Sequence, residues 1–140
     1  TGGVGVTEKT YTLTGERISP RRTRIDADDA EFVIGEDASP VEYLLGSMLA
    51  CLNATATKVA SEMDLEVDDL TATVEGDIDY AAFLGRDEDA RAGFEDLQIT
   101  LDVAADADEE TLEEWLAAVE TRCPVNDTVQ GETAVDVELA

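Results

Sequence analysis

Hydrophobic and polar positions along this chain switch between two periods, and the switches divide it into elements. Across residues 7–34 the pattern is strand-like, with Tyr11 and Leu13 alternating with threonines. Gly15 and the acidic cluster from Asp26 to Asp29 mark turns, and Pro20 suits an edge or a strand end. Two to three short strands are predicted there. Residues 70–80 alternate again through Leu70, Ala72, Val74, Gly76 and Ile78, and residues 94–104 through Leu97, Ile99, Leu101 and Val103. Each run reads as one strand, and the charged residues 81–93 connect them. A last alternation, Ala134 or Val135, then Val137 and Leu139, predicts a closing strand.

Between these runs the period lengthens to that of a helix. Over residues 39–63, Ser39 suits the N-cap and Pro40 the first helical position, and Glu42 completes a capping box with Ser39. Val41, Leu44, Leu45, Met48, Leu52, Thr55 and Val59 then recur at helical spacing. No charge occurs from Tyr43 to Thr57 in a chain that is 31% charged, which predicts a helix buried nearly all round. The small residues Gly46, Ser47, Ala50, Ala54 and Ala56 would admit close backbone approach. A second helix, capped by Asp106 or Asp108, runs to about Arg122 with Leu112, Trp115, Leu116 and Val119 as its apolar stripe. Glu109 and Glu110 in its first turn complement the dipole. Strands, long helix, two strands, helix and strand, without a repeat or a linker, predict an α+β fold in a single domain over residues 1–140.

Composition changes the picture in two ways. The 140 residues carry 34 acidic against 9 basic side chains, a net charge of −25, while 44% are hydrophobic. The acidity therefore coats a folding chain and does not signal disorder. It opposes nucleic-acid binding, because phosphates would repel such a surface. The carboxylates are spread from Glu8 to Glu138, which fits a cytoplasmic protein of a high-salt organism better than a mimic of an acidic polymer. Histidine is absent, so histidine catalysis and histidine-ligated metals are excluded, and no Cys-x-x-Cys pair suggests zinc. No apolar run approaches the roughly 20 residues of a membrane span, and no basic-then-apolar leader is read. Gly2-Gly3-Val4-Gly5 lacks a preceding strand and reads as a terminal segment, not a phosphate loop.

The candidate chemistry rests on two cysteines. Cys51 falls on nearly the same helical face as Leu44, where a cysteine is either a small core hydrophobe or a reactive thiol. Cys123 sits in Arg122-Cys123-Pro124-Val125-Asn126-Asp127, where the proline favours a helix restart with Cys123 as its N-cap. Backbone N–H groups, the dipole and neighbouring Arg122 would there favour a thiolate. The two can pair only if their helices pack together.

The stretch Ser39-Pro40-Val41-Glu42-Tyr43-Leu44-Leu45-Gly46-Ser47-Met48-Leu49-Ala50-Cys51, taken with Arg122-Cys123-Pro124-Val125-Asn126, resembles the osmotically inducible protein C (OsmC) and organic hydroperoxide resistance family. The element order matches as well, so the resemblance covers nearly the whole chain, on the broad OsmC-like side. It implies an intertwined homodimer of α+β subunits with active sites at the interface. It also implies a thiol peroxidase without cofactor, in which Cys51 is oxidised by an organic hydroperoxide and Cys123 resolves it as a disulfide. A dithiol of lipoyl type would then reduce the pair. The family places an arginine from the N-terminal strands near the reactive thiol, held by a glutamate. Among Arg21, Arg22 and Arg24 the resemblance points first to Arg24, then to Arg22 on the same face. Glu42 stands one position later than the family glutamate, whose place Val41 takes, and its capping role already accounts for it. Two other readings remain open at this level. One is a non-catalytic module of the same fold that binds a small apolar ligand or a protein partner. The other is a structural Cys51–Cys123 staple.

Overall fold

The computed structural model describes residues 7–140, so the Gly2–Gly5 run lies outside the described residues. The chain falls into two compact units, Thr1–Leu44 and Leu45–Ala140. The first is built on strands β1 (Thr14–Ser19), β2 (Arg22–Asp26) and β3 (Glu31–Ile34), antiparallel in the order β1-β2-β3. Pro20 and Arg21 make the first turn, which agrees with a proline at a strand end. Gly15 is not a turn residue; it lies inside β1 opposite Ile25, and the chain reverses only at Pro20. The acidic cluster does reverse the chain, with Asp28 at φ 57° and the Ala27 N–H donating to the Ala30 carbonyl at 2.8 Å. At Gly35, φ is +100° and an added Cβ would run into the Arg21 carbonyl, so only glycine fits this turn. Tyr11 and Leu13 precede β1 and are exposed.

Helix α1 (Pro40–Glu62) starts in the first unit and continues through the second. Its capping box forms as the spacing implies. The Glu42 N–H donates to Ser39 Oγ at 3.2 Å, and the Ser39 N–H donates to Glu42 Oε1 at 3.0 Å.

The second unit adds β4 (Val67–Glu75), β5 (Gln98–Ala105), α2 (Glu109–Arg122) and α3 (Pro124–Gln130). Strands β4 and β5 pair antiparallel, with Leu70 opposite Val103, Ala72 opposite Leu101 and Val74 opposite Ile99. Leu70, Ile99, Leu101 and Val103 turn one face onto the core. That core is Leu52, Ala56, Val59 and Ala60 of α1 against Trp115 and Val119 of α2, together with Cys123. The Trp115 Nε1–H donates to the Ala56 carbonyl at 3.0 Å, so the indole satisfies its one polar group while its rings fill the helix interface. Asp108 caps α2 through its side chain to the Thr111 N–H at 2.8 Å, which decides between the two candidate caps. Three helices and two antiparallel sheets among the described residues make the fold α+β. None of these helices is long and apolar enough to cross a membrane.

Two expectations fail. Helix α1 is not buried nearly all round. Met48, Leu52, Ala56, Val59 and Ala60 are buried, while Gly46, Ser47, Ala50, Asn53 and Ala54 are exposed and Leu44 is 43% exposed. A helix packed on one layer buries one face only, and lack of charge on the other face does not cover it. Nor do residues 132–140 form a strand. Val135, Val137 and Leu139 keep their alternation but stay exposed, Leu139 at 99%, because a strand exists only through a hydrogen-bonded neighbour.

Candidate functional site

Helix α1 presents Cys51 half-buried, one residue before core residue Leu52. Cys123 arrives by a different device. It ends α2 and begins α3, with φ −82° and ψ 109°, and Pro124 follows at the first position of the new helix. The junction is inside the core, so Cys123 is 0% exposed. Because α1 and α2 pack through Ala56 and Trp115, the two sulfurs come within range of each other, and both are free thiols.

The groups around Cys123 oppose one another. Burial pushes its thiol above the usual 9.0. The Asn126 backbone N–H acts in the other direction, contact with Cys51 raises it further, and the Thr55 hydroxyl lowers it. The result is a raised value, and this corrects the expectation of an N-cap thiolate. The sulfur makes no full capping hydrogen bond, and desolvation outweighs the amide that faces it.

Arg122 does not serve Cys123 as its place in sequence suggested. Its guanidinium grips Glu62 as a fork, Nη1 to Oε1 at 2.7 Å and Nη2 to Oε2 at 2.9 Å. That fork holds the Glu62 carboxyl below its ordinary value and the guanidinium above its own. Lys58 adds a looser contact to Glu62 at 4.0 Å. In the first unit, Arg24 lies on β2 between Glu16 at 3.3 Å and Glu31 at 3.4 Å, and Arg22 meets Glu36 at 3.2 Å. Glu42 is held below its ordinary value first by the Ser39 backbone N–H, then by the Ser39 hydroxyl. Each of these candidates therefore has a partner within its own unit.

Two residues of the site escaped the sequence reading. Thr55 looked like one member of the apolar stripe, although its place one turn after Cys51 was the available signal. Asn126 is 5% exposed, and its side-chain oxygen is buried without a partner among the described residues. It stood in the Arg122-Cys123-Pro124-Val125-Asn126 motif, but without a role of its own. Among the described residues no cluster of three or more Cys, Asp or Glu is placed to hold a metal.

Comparison with solved structures finds this fold repeatedly. An OsmC-like protein from Mycoplasma pneumoniae is 20% identical, with 89% of this chain and 90% of that chain covered and a TM-score of 0.77. An organic hydroperoxide resistance protein OsmC from Legionella pneumophila is 16% identical, covers 88% and 90%, and has a TM-score of 0.61. An organic hydroperoxide resistance protein from Elizabethkingia anophelis is 17% identical, with 91% and 92% covered and a TM-score of 0.61. At such identities the likeness establishes the fold. No curated protein matches the chain. The sequence profile of OsmC-like proteins matches residues 34–138, a span that holds both cysteines and most of the chain. By that match the chain belongs to the OsmC-like protein family.

Proposed function

We propose that this protein is a dithiol-dependent peroxidase acting on organic hydroperoxides. The Cys51 thiolate attacks the terminal peroxide oxygen, the O–O bond breaks, and the alkoxide leaves and takes up a proton as the alcohol. Cys51 is left as a sulfenic acid. The Cys123 sulfur then bonds to Cys51, and the sulfenic hydroxyl departs as water with the Cys123 proton. An external dithiol, of lipoyl type by analogy with the family, reduces the disulfide in two exchanges and becomes a disulfide itself. What carries this reading is the contact between a half-buried Cys51 and a fully buried Cys123. Peroxide can reach the first sulfur, while the second has only its partner to react with. Arg24 is retained as a residue whose charge the reaction uses, and Glu42 as the cap that fixes the start of the Cys51 helix. A homodimer belongs to the same reading, supported by the charge-free exposed face of α1 in a chain of net charge −25.

The test is turnover of tert-butyl hydroperoxide with dihydrolipoamide. The protein should consume peroxide, Cys51→Ser should abolish turnover, and Cys123→Ser should accumulate a dimedone-reactive sulfenic acid on Cys51. Unchanged free thiols after excess peroxide would overturn the proposal. One observation favours a second reading, a non-catalytic module that binds a small apolar ligand or a protein partner: Glu42 is fully engaged in its cap. In that case Cys51 alkylates slowly and Cys51→Ala leaves binding intact.

A further inference from the structure

We propose, resting on the peroxidase reading, that the ion pair of Arg122 with Glu62 positions the resolving cysteine: it ties the residue before Cys123 to the helix that carries Cys51, and so favours closure of the disulfide. Arg122 continues the stripe by which α2 faces α1. Trp115, Val119 and Arg122 stand at i, i+4 and i+7, and the first two are buried. The stripe thus ends on a cation, the single basic residue between positions 92 and 140. On α1, Glu62 comes about three helical turns after Cys51, on nearly the same side. Its place is unfavourable within α1, because a carboxylate in the last turn meets the negative end of the helix dipole and no basic residue stands in that turn. What it gains comes from α2, where Arg122 Nη1 donates to Oε1 at 2.7 Å and Nη2 to Oε2 at 2.9 Å. A planar fork of two such bonds fixes direction as well as distance.

Helix α2 is thereby held to α1 at two places. Near its middle the Trp115 Nε1–H meets the Ala56 carbonyl at 3.0 Å, and at its last residue Arg122 meets Glu62. One attachment leaves a helix free to swivel, whereas two set its direction, and Cys123 lies immediately beyond the second. Cys51 packs against the core cluster that includes Cys123, so the direction of the α2 end governs how the sulfurs meet. A disulfide needs its α-carbons within about 7 Å. In the resolving step the Cys123 sulfur bonds to the Cys51 sulfur, and the sulfenic hydroxyl leaves as water with the Cys123 proton. Neither Arg122 nor Glu62 gives or takes a proton or an electron. The pair acts through Cys123, by raising the effective concentration of its sulfur above that at a loose helix end.

The experiment needs no peroxide. The wild type, Glu62→Gln, Arg122→Gln and the double variant are equilibrated with mixtures of reduced and oxidised dithiothreitol, and the fraction of Cys51–Cys123 disulfide gives the reduction potential. Closure passes two electrons and two protons to oxidised dithiothreitol, which becomes the dithiol. Losing either arm of a half-exposed fork should make closure about fivefold less favourable, a rise of about 20 mV in the potential. The double variant should shift no further than a single one, because either change already breaks the fork. The sign separates position from charge. If Arg122 acted directly on a Cys123 thiolate, Glu62→Gln would free the guanidinium and move the potential opposite to Arg122→Gln. Opposite shifts therefore overturn the proposal, as do a wild-type potential in either variant with native circular dichroism and additive shifts in the double variant. Where one single variant does not fold, the other decides. Failure of the wild-type pair to close overturns it as well. Loss of peroxide turnover with the potential shifts intact would instead overturn only the peroxidase reading.

Discussion

Trp115 in the second unit is 2% exposed and bonded to Ala56, whereas in the first unit no described residue is fully buried. An aromatic pair of that first unit, Phe32 stacked on Tyr43 with ring centroids 6.5 Å apart, leaves Phe32 37% exposed. The ion pairs differ in the same way. Arg122 forks onto Glu62 at 2.7 and 2.9 Å, while Arg24 is shared between two exposed carboxylates at 3.3 and 3.4 Å. Both units carry a regular hydrophobic pattern, and within the second unit that pattern has another layer to face. A three-stranded sheet taken by itself organises its backbone without gaining much from apolar burial. In the second unit two helices and a pair of antiparallel strands pack into one hydrophobic core, and that core is where a thiol can be shielded and its ionisation altered.

The largest test of this contrast is truncation of one aromatic in each unit. Trp115→Ala should cost about 3–5 kcal/mol in urea unfolding, because it empties a helix interface and leaves the Ala56 carbonyl without its donor. Phe32→Ala should cost less than about 1.5 kcal/mol, since much of that ring is already in water. Equal losses would erase the distinction. A smaller effect belongs to the Arg122 fork. Glu62 titrates below its ordinary 4.5 because Arg122 favours its charged form. The stability it contributes is therefore present above pH 4.5 and lost as pH falls through its depressed value. Melting points of the wild type and Glu62→Gln should differ at neutral pH and converge on acidification; a constant gap would show the fork to be inert. The smallest effect is expected at Arg24. Arg24→Gln should leave the melting point within error, because exposed pairs are screened by water. The same variant should lower peroxide turnover if its charge is used, so stability and activity part company at this one residue.

Most of the architecture was legible, and the particular successes share a cause. The capping box of Ser39 and Glu42, the Asp108 cap, and the restart at Pro124 after Cys123 all arise between residues a few positions apart. The alternation through β4 and β5 is equally local, although the strands end nearer Glu75 and begin nearer Gln98 than it implied. The failures share a cause too. Gly15 was read from its type, yet the reversal came at Pro20; the closing alternation at Val135, Val137 and Leu139 had the right period without a neighbouring strand. For the candidate site, the two cysteines were visible as residues with their helices, and their partners were not.

By itself, then, the amino-acid order determined where helices and strands start, which of their faces are apolar, and that two thiols sit at a helix face and a helix junction. Those outcomes depend on backbone sterics and on hydrogen bonds within a turn or two. Only the packing of α1 against α2 decided that Cys51 meets Cys123, that Thr55 and the Asn126 amide join them, and that Arg122 turns to Glu62 instead. Packing also decided the sign of the change at Cys123. The pull of a helix start is written in the local chain, but the cost of removing a sulfur from water depends on every surface that closes over it.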